Sequence, residues 1–88
     1  MLKISITAGA GQLFTLELDG QVSGAWVELL QKTCETQLKN GARVTVDLKN
    51  VSFVDREGIA LLRRLADRQV EILNALPFIA EQIRTATP

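Results

Sequence analysis

Histidine and tyrosine are absent from this chain of 88 residues, which holds one cysteine and one tryptophan. Without histidine there is no Ser-His or Cys-His pair and no imidazole general base. One cysteine excludes an internal disulfide, and with no histidine beside it the usual structural zinc sites are closed as well. Neither common spacing of a Gly-rich phosphate loop occurs. The longest apolar runs are far too short to span a membrane. The first residues, Met1 to Ile6, alternate like a strand and lack the apolar block of a signal peptide. Lys plus Arg and Asp plus Glu are 10 each, so the basic excess of a general nucleic-acid binder is missing. These absences predict a cytoplasmic, non-enzymatic chain with no cofactor, no metal, no nucleic-acid partner and no direct membrane insertion.

What is present describes a folded domain. Hydrophobic content of 47% and charge of 23% are globular values. The length fits one domain over residues 1–88, with roughly 60–65% of the unfolded surface buried on folding. Leu2, Ile4 and Ile6 alternate with Lys3, Ser5 and Thr7, which predicts a strand over 2–7. A Gly-rich turn at 8–12 leads to a second strand on Phe14, Leu16 and Leu18, closing a hairpin. Ser23 or Gly24 caps a helix running to about Asn40, stopped by Gly41 and carrying the stripe Val27, Leu30, Cys34 and Leu38. A third strand at 43–48, a helix at 56–68, a strand at 70–73 and a last helix with Pro77 in its first turn complete the series. Phe78, Ile79 and Ile83 are expected as apolar contacts of that helix, and the tail from Thr85 to Pro88 is expected to fray.

Every strand has one apolar and one polar face. Leu2/Ile4/Ile6, Phe14/Leu16/Leu18, Val44/Val46/Leu48 and Val70/Ile72 oppose Lys3/Ser5/Thr7, Thr15/Glu17, Thr45/Asp47 and Glu71. Helices therefore cover one side of the sheet and water the other. The expected fold is α/β and two-layered: a four-stranded mixed sheet, with an N-terminal antiparallel hairpin plus parallel strands and about three helices on one face.

The run from Val44 to Gly58 is the most informative stretch. The strand period gives way after Asp55 to a helical one, with Ile59, Leu62, Leu65 and Ala66 on one side and Arg63, Arg64 and Asp67 on the other. Such a junction gathers free backbone N–H groups and the positive end of a helix dipole, so it is the first place to look for a site. Val46 to Leu62 also resembles the signature of the sulfate transporter and anti-sigma-factor antagonist (STAS) domain. That family shows Asp-Leu, a short polar pair, Val-x-Phe-(Ile/Met)-Asp and then Ser-Ser-Gly-Leu or Ser-Thr-Gly-Leu. Leu18-Asp19-Gly20 is similar to its Leu-x-Gly before the first helix. The resemblance implies a bacterial regulatory domain that binds a protein partner: an anti-sigma factor, a related serine kinase or another switching component. An alternative within the family is an accessory subunit of a lipid-exporting ABC transporter, bound to its ATPase subunit. Nucleotide binding, a further property of the wider family, has no phosphate loop here to support it.

The chain departs from the family where switching takes place. In partner-switching members a Ser or Thr beside the Gly accepts a phosphate, whereas Arg56 and Glu57 precede Gly58 here. Glu57 is then either a fixed negative charge in place of an optional one or simply a carboxylate favoured by about 0.3–1 kcal/mol in the first turn of a helix. Asp55 is either part of an interface or a helix cap. Ser52 is the nearest hydroxyl, a displaced acceptor or a plain loop residue. The candidate partner surface comprises Ser52, Asp55, Arg56, Glu57, Gly58, Leu61 and Arg64, with Leu61, off the main apolar stripe, as its apolar centre.

Elsewhere the bland reading prevails. Cys34 lies on an apolar stripe with no cationic neighbour evident and reads as core filler. Trp26 is expected to anchor the first helix to the sheet, and Phe53 to be buried. Arg63, Arg64 and Arg68 read either as a solvated edge or as a docking edge for an acidic surface.

Overall fold

The order of elements follows the alternation of periods in the sequence. The strands are β1 (Leu2–Ala8), β2 (Leu13–Val22), β3 (Arg43–Val54) and β4 (Glu71–Leu73). The helices are α1 (Ala25–Lys39), α2 (Arg56–Asp67) and α3 (Pro77–Thr85). The computed structural model describes residues 1–86. Thr85 is helical rather than frayed, and residues 87–88 of the expected tail lie outside the described residues.

β1 and β2 form the antiparallel hairpin, from Leu2 opposite Gly20 to Ala8 opposite Phe14. β2 pairs with β3 and β3 with β4 in parallel, giving the order β1-β2-β3-β4. Two crossovers of the same hand, stepping the same way along a sheet, put α1 and α2 on one face. α1 lies over β2 and β3, α2 over β3 and β4, and α3 packs on α2. The layer between holds Leu16, Leu18, Leu30, Cys34, Val46, Leu48 and Leu62, all essentially without solvent contact. On the open face Lys3, Ser5, Thr7, Glu17 and Glu71 are exposed. Thr45 is the exception and is buried, since it sits in an interior strand between Thr15 and Glu71.

β3 runs past Leu48 to Val54, beyond the expected end. Two register shifts against β2, at Glu17/Asp19 and at Gly20/Gln21, each insert an extra residue on the β3 side. These bulges break the two-residue period. The inward positions become Val51 and Val54, three apart, and Phe53 is turned out and half exposed. The expectation of a buried Phe53 is thereby corrected. Asp47 holds the start of the irregular stretch: its Oδ1 accepts from the Lys49 N–H at 2.9 Å and from Asn74 Nδ2 at 3.1 Å.

The helices differ from expectation on their flanks. α1 buries Val27, Leu30 and Cys34, but Trp26 and Leu29 lie one position, about 100°, off that stripe and are exposed. Trp26 is therefore not part of the core between α1 and the sheet. α2 buries Gly58, Ile59, Leu61, Leu62 and Leu65, an arc wider than one stripe, because the sheet, α1 and α3 all pack against it. In α3 Ile79 and Ile83 point inward while Phe78 is 73% exposed, so Phe78 is not the core contact expected of it.

Candidate functional site

Asp55 organises the junction between β3 and α2. Its backbone is extended, and its Oδ1 accepts from the Gly58 N–H at 2.7 Å, the bond of a helix N-cap. The other oxygen, Oδ2, accepts from the Gly24 N–H at 2.9 Å. Gly24 is itself the N-cap of α1 and has no capping side chain, so the carboxylate of one helix start also serves the other. Ser23, the other candidate cap, does not fill that role. The Asp55 N–H donates to the Val22 carbonyl at 3.0 Å, tying the turn to the end of β2. With both oxygens engaged by backbone donors, Asp55 is a structural joint between the starts of the two helices.

Gly58 is required by space. A Cβ built on it would lie 2.6 Å from Val54 Cγ1 and 2.8 Å from the Val22 carbonyl oxygen. The absent side chain lets the first turn of α2 press onto the ends of β2 and β3. The sequence positions that resemble the family signature thus have a packing reason and a capping reason of their own.

Around this joint the remaining candidates separate. Arg56 and Glu57 are exposed in the first turn, and Arg64 is exposed two turns later on the same helix. Ser52 is exposed, its hydroxyl making a long 3.4 Å hydrogen bond to the Gly20 carbonyl. Leu61 is 1% exposed, so the expectation that it is accessible at the centre of an interface is corrected: it belongs to the core beneath the helix. The basic edge also divides. Arg63 pairs with Asp67 at 3.3 Å and donates from Nη1 to the Arg84 carbonyl at 2.8 Å, closing the end of α3. Arg68 pairs with Glu35 of α1. Arg64 has no ion pair among the described residues.

The exposed apolar surface near the joint consists of residues outside the candidate set. Phe53, Leu76 and Phe78 are exposed by 50%, 50% and 73% and border a groove of about 230 Å³ that Ser52, Val54 and Gln82 also line. Gln82 lines a second, open groove of about 500 Å³, with Arg56, Ile59 and Ala60. The two concavities share Gln82 of α3. A sequence signal for this ledge existed in α3: Ile79 and Ile83, four apart, take the inward face and leave Phe78 off it. For Phe53 a signal existed as well: alternation continued from Val44, Val46 and Leu48 places position 53 on the outward face.

Chemically the surface offers a few charges and large exposed apolar side chains. Among the described residues no group of three or more His, Cys, Asp or Glu side chains is placed to hold a metal. Cys34 lies away from it, fully buried; burial pushes its thiol up to about 11, with the Glu35 carboxylate adding to the effect and Arg68 opposing it. No described helix is long and apolar enough to cross a membrane.

No curated protein sequence matches the chain. Among solved structures it is similar to the anti-sigma factor antagonist SpoIIAA in its unphosphorylated form, with a TM-score of 0.77 and 18% identity over 96% of this chain and 84% of that one. It is similar to an antisigma-factor antagonist STAS domain from Rhodobacter sphaeroides, with a TM-score of 0.66 and 18% identity over 83% and 86% of the two chains. An uncharacterised protein from Shewanella loihica with a SpoIIAA-like fold gives 0.59 and 12% over 88% and 69%. At these identities the likeness is one of fold. The sequence itself carries the assignment further: the family model of the STAS domain matches residues 5–79, which span the hairpin, the Asp55 joint and the start of α3, and the chain belongs to that family.

Proposed function

We propose that this chain is a non-enzymatic regulatory domain of a bacterial cytoplasm that binds a protein partner through the start of α2 and the apolar ledge beside it. The observation that carries this reading is the ledge itself. Phe53, Leu76 and Phe78 are large and exposed, and they cluster on a groove that shares Gln82 with the groove lined by Arg56 of the helix start. Aromatic anchors rimmed by charge are the usual make-up of a protein interface. In this reading Phe53 and Phe78 are the anchors, Ser52, Arg56, Glu57 and Arg64 form the polar rim, and Asp55 and Gly58 hold the turn in shape.

The partner proposed is an anti-sigma factor or a related serine kinase, on the strength of the fold shared with two antagonists. Glu57 then supplies a permanent negative charge where other members of the family carry a phosphate on demand. A carboxylate is smaller and less charged than a phosphoserine, so the interaction is set at one level and not switched at this position.

Co-purification of the tagged chain from its native host, with identification of the bound proteins, tests the partner class. Recovery of a kinase-like or sigma-factor regulator supports the reading, and recovery of a transporter ATPase subunit replaces it with the ABC-accessory role. Charge reversal by Glu57→Lys with Arg64→Glu should weaken capture and leave the melting temperature nearly unchanged, since both side chains are exposed. Undiminished capture by that variant would place the interface elsewhere.

A further inference from the structure

The hairpin leaves one edge of the sheet open, and the pattern along it is complementary to itself. The Gly9 N–H donates to the Leu13 carbonyl at 2.7 Å, and the Gln21 N–H to the Met1 carbonyl at 3.1 Å. These bonds set the parity of the ladder: odd-numbered residues of β1 exchange bonds with β2. The N–H and C=O groups of Leu2, Ile4, Ile6 and Ala8 therefore point away from β2, where no strand among the described residues pairs with them.

Edges of this kind are normally blunted by shortness, proline, bulges or charge. β4, at the opposite edge, is only 3 residues long. β1 has 7, with no proline, an unbroken register and Lys3 as its one charge. The helices lie over β2, β3 and β4, so the helix-side residues of β1 emerge from cover along the strand. Leu2 is buried, Ile4 half-buried and Ile6 48% exposed.

We propose that a second copy of this chain pairs with β1, antiparallel, about a two-fold axis at Ser5. In that register Leu2 faces Ala8 and Ile4 faces Ile6 of the second copy, so every outward N–H meets an outward C=O. Ile4 and Ile6 of both copies then form one apolar strip, covering the side chain the helices leave bare. On the open face Lys3 stands opposite Thr7, and Ser5 opposite Ser5. No like charges meet, whereas a parallel pairing in register would set Lys3 against Lys3. One pair of short strands lies at the low end of specific interfaces, so the dimer is weak and dependent on concentration.

Sedimentation equilibrium over a wide range of concentration, combined with cysteine cross-linking, tests both the dimer and its register. The mass average of the unmodified protein should rise towards that of a dimer. Ser5→Lys, which sets two cations on the axis while altering an exposed residue, should raise the half-dimer concentration by up to about fivefold. Ser5→Cys should form a disulfide-linked dimer on mild oxidation, because facing Cα atoms in this non-hydrogen-bonded pair are about 4.5 Å apart. Thr7→Cys alone should cross-link poorly, and a mixture of Lys3→Cys and Thr7→Cys should cross-link well. Cys34 is buried and does not compete. A monomer at every concentration overturns the proposal, as does a dimer insensitive to Ser5→Lys or a Thr7→Cys protein that cross-links as readily as Ser5→Cys.

Discussion

The carboxylate of Asp55 and the backbone N–H of Gly24, thirty-one positions apart in sequence, are joined by a 2.9 Å hydrogen bond. Through this bond the cap of α2 also serves the start of α1, and two loops that could move separately are held as one. The proposed partner surface is built on that joint. Its shape depends on a residue whose two carboxylate oxygens each hold a backbone N–H.

Removing the carboxylate should loosen both helix starts. Asp55→Ala is expected to cost about 1–2 kcal/mol, the upper part of the range for a lost N-cap, because a second donor is left without its partner. Asp55→Asn, which keeps one acceptor, should cost less. Urea unfolding midpoints measure both, and an Asp55→Ala midpoint equal to that of the unmodified protein would contradict the role given to this residue.

Gly58→Ala should destabilise although alanine is the better helix former by about 1 kcal/mol. The added methyl meets Val54 Cγ1 and the Val22 carbonyl at distances that force backbone movement. A net loss of about 1–3 kcal/mol is expected. Trimming Val54 to alanine as well should relieve only part of the strain, since the carbonyl remains. A thermal melt of Gly58→Ala at or above the original midpoint would show that the turn can yield freely.

Cys34 predicts a pH dependence of stability. Its thiol ordinarily loses its proton near 9.0 and is raised by burial to about 11 in the folded chain. Below pH 9 the preference for the neutral form costs nothing. Between pH 9 and 11 the unfolded chain ionises first, so stability falls as pH rises, by up to about 1.4 kcal/mol per unit. Comparison of unfolding midpoints for the unmodified protein and Cys34→Ala across pH 8–10.5 isolates this contribution, and the absence of tyrosine removes one competing titration. Rapid labelling of the native thiol at pH 8 would contradict its buried, protonated state.

A fixed charge at position 57 predicts that the switch can be restored. Glu57→Ser should gain one phosphate when incubated with the co-purified kinase and ATP, read by intact mass, while the unmodified protein gains none at Arg56 or Glu57. Phosphate on Ser52 of the unmodified protein would instead assign switching to a displaced acceptor.

The hairpin, both parallel crossovers and the cap at Asp55 were legible because each depends on local period or on one residue type at a helix start. What was not legible depended on register and on neighbours. Alternation taken past Leu48 buries the wrong residues, since the extra residues on β3 become visible only when it is paired with β2. Phe53 is a different case: two inserted residues cancel, so it keeps the outward parity of plain alternation, and it was its apolar side chain that read as core where the residue is surface. Leu61 errs the other way, because a single helical stripe allows for one packing partner and α2 has three. The candidate surface read from the sequence centred on the joint, but its apolar part was assigned to a buried residue while the exposed ledge went unnoticed.

Titration of the co-purified partner against paired surface variants tests the central claim most directly. Phe53→Ser with Phe78→Ser alters the ledge, and Glu17→Lys alters an exposed residue on the far face of the sheet. Loss of two hot-spot anchors should weaken binding by about a hundredfold or more, with the Glu17→Lys protein binding as the unmodified one does and all three melting alike. Full affinity in the ledge variant, or loss confined to Glu17→Lys, would contradict binding through the start of α2.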